Sequence, residues 1–83
     1  MDKVGFYREN EHFLKILAIH YARNFSLEFD DLFQEGALGM LVAFNRYGSE
    51  KKTDELEKIG KKMANRFMYR YVSKEVKRRK FLQ

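Results

Sequence analysis

Residues 29–47 read FDDLFQEGALGMLVAFNRY, and this stretch decides the fold. Asp30 is read as the N-cap of a helix that ends before Gly48. Its second half, LGMLVAF, is apolar on every side, and Gly36 and Gly39 stand in its interior. An interior glycine costs about 0.5–1 kcal/mol relative to alanine. Two of them imply a gain from missing side chains, most simply the close approach of another helix of the same chain. A small bundle buries one stripe of each helix and not a full circumference. Some of Leu38, Leu41 and Val42 are therefore expected at the surface or under a partner. Asp31, Gln34 and Glu35 stand at i, i+3 and i+4 and share a face that continues into Leu38 and Leu41. The result is an acidic-polar patch running into an aliphatic one, the pattern of an interface with an apolar centre and a charged rim.

Working outward, two more helices account for the rest. The preceding one is expected from about Asn10, as N-cap, to Asn24, with Phe13, Ile16, Leu17 and His20/Tyr21 at helical spacing and Leu14 and Ala18 alongside. Phe25–Phe29 is a short link, and Gly48–Lys52 a polar one. The third helix is expected from about Thr53 to Lys80. Asp54 and Glu55 lie in its positive first turn, and Lys77, Arg78, Arg79 and Lys80 suit its negative end. Its apolar stripe is read as Leu56, Ile59, Met63, Phe67 and Tyr71, with Gly60 as a point of kinking or breakage. Phe67 is expected to complete the core, while Tyr69 fits core or surface equally. The expectation is one all-α three-helix bundle over residues 1–83, its core about 10–80.

Composition agrees and excludes much. The chain of 83 residues has 45% apolar and 35% charged residues, no proline and only five glycines, consistent with few turns and mostly helix. With no cysteine there is no disulfide frame and no thiolate chemistry. No apolar run approaches the ~18 residues of a membrane span, and the N-terminus shows no apolar signal core. A cytoplasmic protein without cofactor or metal is expected. His12 and His20 lie two turns apart, Asp30 and Asp31 point to different faces, and no glycine-rich phosphate loop is present. Enzymatic activity is not expected.

Charge is distributed unevenly. Residues 1–50 hold five Lys and Arg against eight Asp and Glu; residues 51–83 hold twelve against four. Opposite the apolar stripe of the third helix lie Lys62, Asn65, Arg66, Tyr69, Arg70, Ser73, Lys74 and Lys77. Cations that neutralise phosphates, interleaved with an amide, a hydroxyl and an aromatic ring that can touch bases, make a nucleic-acid face. The competing readings are a solvated basic tail and a helix lying on an anionic membrane, to which Asn65 and Ser73 add nothing.

These residues carry a resemblance. Residues 29–47 resemble region 2 of bacterial sigma factors, whose pattern D-L-x-Q-E-G-x-x-G-L-x-x-A ending on an aromatic residue is matched at Asp31, Leu32, Gln34, Glu35, Gly36, Gly39, Ala43 and Tyr47. The flanks HFLKILAIHYARNF and KKMANRFMYRYVSKEVKRRK resemble the neighbouring helices of that region, so the likeness covers about residues 10–80. The resemblance implies a transcription initiation factor. Asp31, Gln34, Glu35, Leu38 and Leu41 would dock on the clamp helices of the RNA polymerase beta-prime subunit. Lys62, Asn65, Arg66, Tyr69, Arg70, Ser73, Lys74 and Lys77 would face promoter DNA at the minus-ten element. The chain departs from the primary sigma factors at Ala37, where many carry Asn. It departs again at Ile59 and Lys62, where the aromatic cluster that captures a flipped adenine would fall. A region 4 that reads the minus-thirty-five element does not fit within 83 residues, so a second sigma subunit bearing it is an expected partner. The alternative is a decoy that occupies the sigma site and inhibits; a plain basic DNA binder with no polymerase partner is a third reading.

Overall fold

A computed structural model of the chain describes residues 2–82, with side chains through Lys80. It holds three helices: α1, Lys3–Phe25; α2, Phe29–Tyr47; and α3, Thr53–Leu82. They form the expected all-α three-helix bundle, 47 × 20 × 15 Å along its principal axes.

α1 starts a full two turns before the expected position. Asp2 caps it, its carboxylate accepting from the Gly5 N–H at 2.7 Å. Asn10, read as that cap, is instead 2% exposed in the helix interior, and its amide donates to the Phe6 carbonyl at 2.9 Å. The charged and polar residues around it hid this extension, which is anchored by Phe6, 1% exposed, with Tyr7 packed against the core. α2 begins one residue before Asp30. Glu28 occupies the cap position without a side-chain hydrogen bond, and Asp30 and Asp31 sit in the first turn, where they favour the positive helix end. The end of α2 before Gly48 and the start of α3 at Thr53 match expectation.

The core lies one position away from the stripes read by bulk. In α3 the fully buried residues are Leu56, Gly60, Ala64, Met68 and Val72, and in α1 they are Phe6, Asn10, Leu14 and Ala18. Ile59, Met63, Phe67 and Tyr71 are half-buried shoulders of the α3 line, and Ile16 is 55% exposed. The reason is close packing. Small residues at the centre let backbones approach, and the larger neighbours then close over the seam from both sides. A Cβ on Gly39 would stand 2.7 Å from the Met63 carbonyl oxygen and 2.9 Å from the Ala64 Cα, so α2 and α3 meet backbone to backbone. This is the in-chain helix approach that the interior glycines implied. Gly60 does not break α3, which runs as one helix through it. Its missing side chain makes room for the Met40 sulfur and the Phe6 ring.

The α1–α2 turn is pinned from afar. Ser26 takes a left-handed conformation at φ 54°, which costs a residue with a side chain roughly 1–2 kcal/mol. Arg79, more than fifty residues on, donates to the carbonyls of Phe25 and Ser26. Those carbonyls have no partner within α1, and the guanidinium also opposes the negative helix end. Arg79 therefore ties the last turns of α3 to the end of α1.

Candidate functional site

The outer surface of α2 is partly apolar, as its pattern required. Leu38 is 47% and Leu41 38% exposed, Gln34 and Asp31 are exposed, and Val42 is half-buried. Beside them the first turns of α1 form the second wall of an apolar groove of about 470 Å³, lined by Val4, Tyr7, Gln34, Leu38, Leu41 and Phe44. Val4 and Tyr7 were not legible as site residues, because the stretch before Asn10 was not expected to be helical.

Glu35 stands apart from that surface. It is half-buried and turned toward α3, where it lines a second groove of about 420 Å³ with Phe67, Arg70, Tyr71, Lys74 and Glu75. Asp31 also leans toward α3, its carboxylate accepting from the Tyr71 hydroxyl at 3.1 Å. Burial first, then this hydrogen bond, raises the Tyr71 phenol above its ordinary range. The acidic end of α2 and the basic end of α3 thus meet at one seam.

On α3, Lys62, Asn65, Arg66, Tyr69, Arg70, Lys74 and Lys77 are exposed and Ser73 is half-buried. Tyr69, 61% exposed, belongs to the surface. Phe67 does not complete the core: it is half-buried at the groove edge, with the Arg70 guanidinium 5.7 Å from its ring centre. Among the described residues Lys62, Arg66, Arg70, Lys74 and Lys77 form no salt bridge; the ion pairs present are Lys15–Glu11 and Arg78–Glu75. This row of cations is held at helical spacing; Glu35 and Glu75 share a groove with Arg70 and Lys74 without pairing to them, and Lys62 and Arg66 stand beyond that groove, so the outer face carries a positive potential.

Asn65 is engaged across the α1–α3 seam. The Tyr21 hydroxyl donates to its Oδ1 at 2.6 Å. Burial raises the Tyr21 phenol, and the nearby Tyr69 raises it further. His20 and Phe25 pack around Tyr21 with ring centres at 5.6 and 6.2 Å. Among the described residues there is no group of three or more metal-ligating side chains, and no helix is long and apolar enough to cross a membrane.

Comparison with protein-family models, with characterised proteins and with solved structures finds no match to this chain.

Proposed function

We propose that the chain is a transcription initiation subunit that works as sigma region 2 does. The exposed face of α2 docks on the beta-prime clamp helices of RNA polymerase, and the outer face of α3 contacts the minus-ten region of promoter DNA. The reading rests on the sigma-like spacing of residues 29–47. The observation that carries it is the exposure of Leu38 and Leu41 beside Gln34, on a bundle whose third helix presents a row of exposed cations that form no salt bridge among the described residues. An apolar centre with a polar rim fits a protein partner, while the cations of α3 fit a phosphate backbone. A separate subunit bearing region 4 completes promoter recognition, and tethering to it and to polymerase supplies the affinity that so small a DNA-contacting face lacks.

Pull-down of core polymerase by the intact chain tests the docking half. Leu38→Glu with Leu41→Glu, both at exposed positions, should abolish capture while the far-UV circular dichroism spectrum stays helical. Capture by this folded variant would overturn the assignment of the α2 face. In vitro transcription then separates initiator from decoy. An initiator restores synthesis from its promoter when added with polymerase and the second subunit, whereas a decoy only represses. The cationic outer face of α3 favours the first, because blocking the sigma site requires no contact with DNA.

A further inference from the structure

We infer that the exposed face of α2, with the groove beside it, pairs with the same face of a second copy of this chain to form a reversible antiparallel dimer. The inference goes beyond the proposed function and does not rest on it, since the geometry is the same whatever else binds α2.

The face has the spacing of a helix seam. Asp31, Gln34, Leu38, Leu41 and Asn45 are all exposed and follow one another at steps of 3, 4, 3 and 4. That alternation keeps one stripe turned toward a second helix over its whole length. Neither α1 nor α3 covers it, and Leu38 is 47% and Leu41 38% exposed. On the α1 side of the stripe lies the apolar groove of about 470 Å³, whose far wall includes Val4, 57% exposed. A ridge beside a groove is self-complementary. A two-fold axis between Leu38 and Leu41 lowers the ridge of each copy onto the groove of the other.

Polar groups select a second copy as the occupant and fix its direction. Antiparallel packing about that axis sets Leu38 against Leu41 of the second copy, twice, at the centre. One turn further out, Gln34 meets Asn45 of the second copy, two amides that each donate and accept. Asp30, Ala37 and Phe44 are seven residues apart and share one flank of the seam, the flank where Ala37 and Phe44 line the groove with Lys3. Phe6 packs on Phe44 with ring centres at 5.5 Å, and Lys3 lies one turn before Phe6, so Lys3 stands at the Phe44 end. Antiparallel copies therefore bring Asp30 of each to Lys3 of the other. On the opposite flank Glu35 comes to Arg46 of the second copy in the same way. Among the described residues none of these four forms a salt bridge within the chain. A parallel pair would set Asp30 on Asp30 and Arg46 on Arg46, so charge decides the direction.

Size sets the strength. The 19 residues of α2 make about 28 Å of helix on a bundle 20 Å across. Such a face buries about 500 Å² per copy, near the ~1,000 Å² total of the smallest specific interfaces and below the ~1,600 Å² of a standard one. The dimer is weak and dissociates readily. Polymerase, as the proposed partner of the same face, competes with the second copy.

Sedimentation velocity of the intact chain from about 1 µM to about 1 mM tests the inference. The sedimentation coefficient should rise from monomer to dimer, with half-association between about 10 and 300 µM. Leu38→Glu should stay monomeric throughout while its far-UV circular dichroism remains helical. Ile16→Glu, at a 55% exposed apolar position on α1 outside the seam, should dimerise as the wild type does. Lys3→Glu should raise the dissociation constant about fivefold, because two exposed pairs per dimer become like-charged, and Asp30→Lys should do the same. Both together exchange the signs and should return it to within about twofold of wild type. This charge exchange decides the matter if Leu38→Glu unfolds. A wild-type chain that stays monomeric to about 1 mM, or a folded Leu38→Glu chain that still dimerises, would overturn the dimer. An additive loss in the double charge variant would overturn the antiparallel pairing. A chain that dimerises as described but captures no polymerase bears the dimer out and removes the docking half of the proposed function.

Discussion

Gly39→Ala adds one methyl group and tests the packing on which both faces depend. On an isolated helix it would be favourable, since alanine is preferred over glycine in a helix interior by about 1 kcal/mol. In the bundle the new Cβ would lie 2.7 Å from the Met63 carbonyl oxygen, 2.8 Å from its carbon and 2.9 Å from the Ala64 Cα. All three are backbone atoms of α3, so no side chain can rotate away and the two helices must part. Overpacking of this kind costs about 1–3 kcal/mol, more where the neighbour cannot give. Separation also loosens the shoulders that close over the seam. Taking the upper end and subtracting the helix preference leaves a net loss of about 2 kcal/mol. A domain of this size has only ~3–5 kcal/mol in total, and each kcal/mol shifts its Tm by roughly 4–8 °C. Thermal unfolding followed by circular dichroism should therefore show a Tm lower by roughly 8–16 °C. Gly36→Ala is the control. Its Cβ meets the flexible end of Met68 and a Leu14 methyl at 3.1 Å, groups able to move, so that variant should stay within about 1 kcal/mol of wild type. Equal stability of the two variants would refute the claim that α2 and α3 touch through their backbones.

Arg79→Ala should lower stability by about 1 kcal/mol and speed amide exchange at the α1–α2 turn, because the carbonyls of Phe25 and Ser26 lose their donor; unchanged exchange there would show that the turn holds itself. Alkaline pH should destabilise the fold. The phenols of Tyr7, Tyr21 and Tyr71 are raised chiefly by burial, so the folded chain holds their protons more tightly than the unfolded one. That contribution is complete below about pH 10 and is lost as pH rises through the raised values. The Tm of a Tyr7→Phe/Tyr21→Phe/Tyr71→Phe variant should fall less steeply from about pH 9 to 11 than that of the wild type. If Lys62 and Arg66 neutralise phosphates, Lys62→Ala with Arg66→Ala should flatten the plot of log affinity against log salt for a single strand by about 1.4, ~0.7 for each contact; an unchanged slope would remove both residues from the DNA face.

Three helices, their order and most of their ends were legible because their signals are local: acidic first turns, a glycine at the end of α2, and apolar periodicity over many residues. The interior glycines of α2 even announced the tight approach of a neighbour. The centre of the core was not legible. Reading α3 by bulk selects Ile59, Met63, Phe67 and Tyr71, yet the innermost line passes through Gly60 and Ala64, where the smallest side chains allow the closest contact. Phe6 went unseen for a related reason, since its role depends on the space left by Gly60 across the bundle. Of the candidate site, the exposure of Gln34, Leu38 and Leu41 and of the cations on α3 followed from helical spacing. The inward lean of Glu35 and the bond from Tyr21 to Asn65 did not, since each depends on how far one helix is rotated against another.

The glycine–alanine centre of α3 has one further consequence. A stretch of such small residues is smooth, and smooth rods slide. What stops α3 from creeping along its neighbours are the bulkier ends of the same line, Leu56 on one side and Val72 with Met68 on the other, all buried. They act as bookends: a slip by one turn would drive a large side chain into a gap made for a hydrogen atom. The axial position of every outward-facing cation is therefore set by residues that no visiting molecule ever meets.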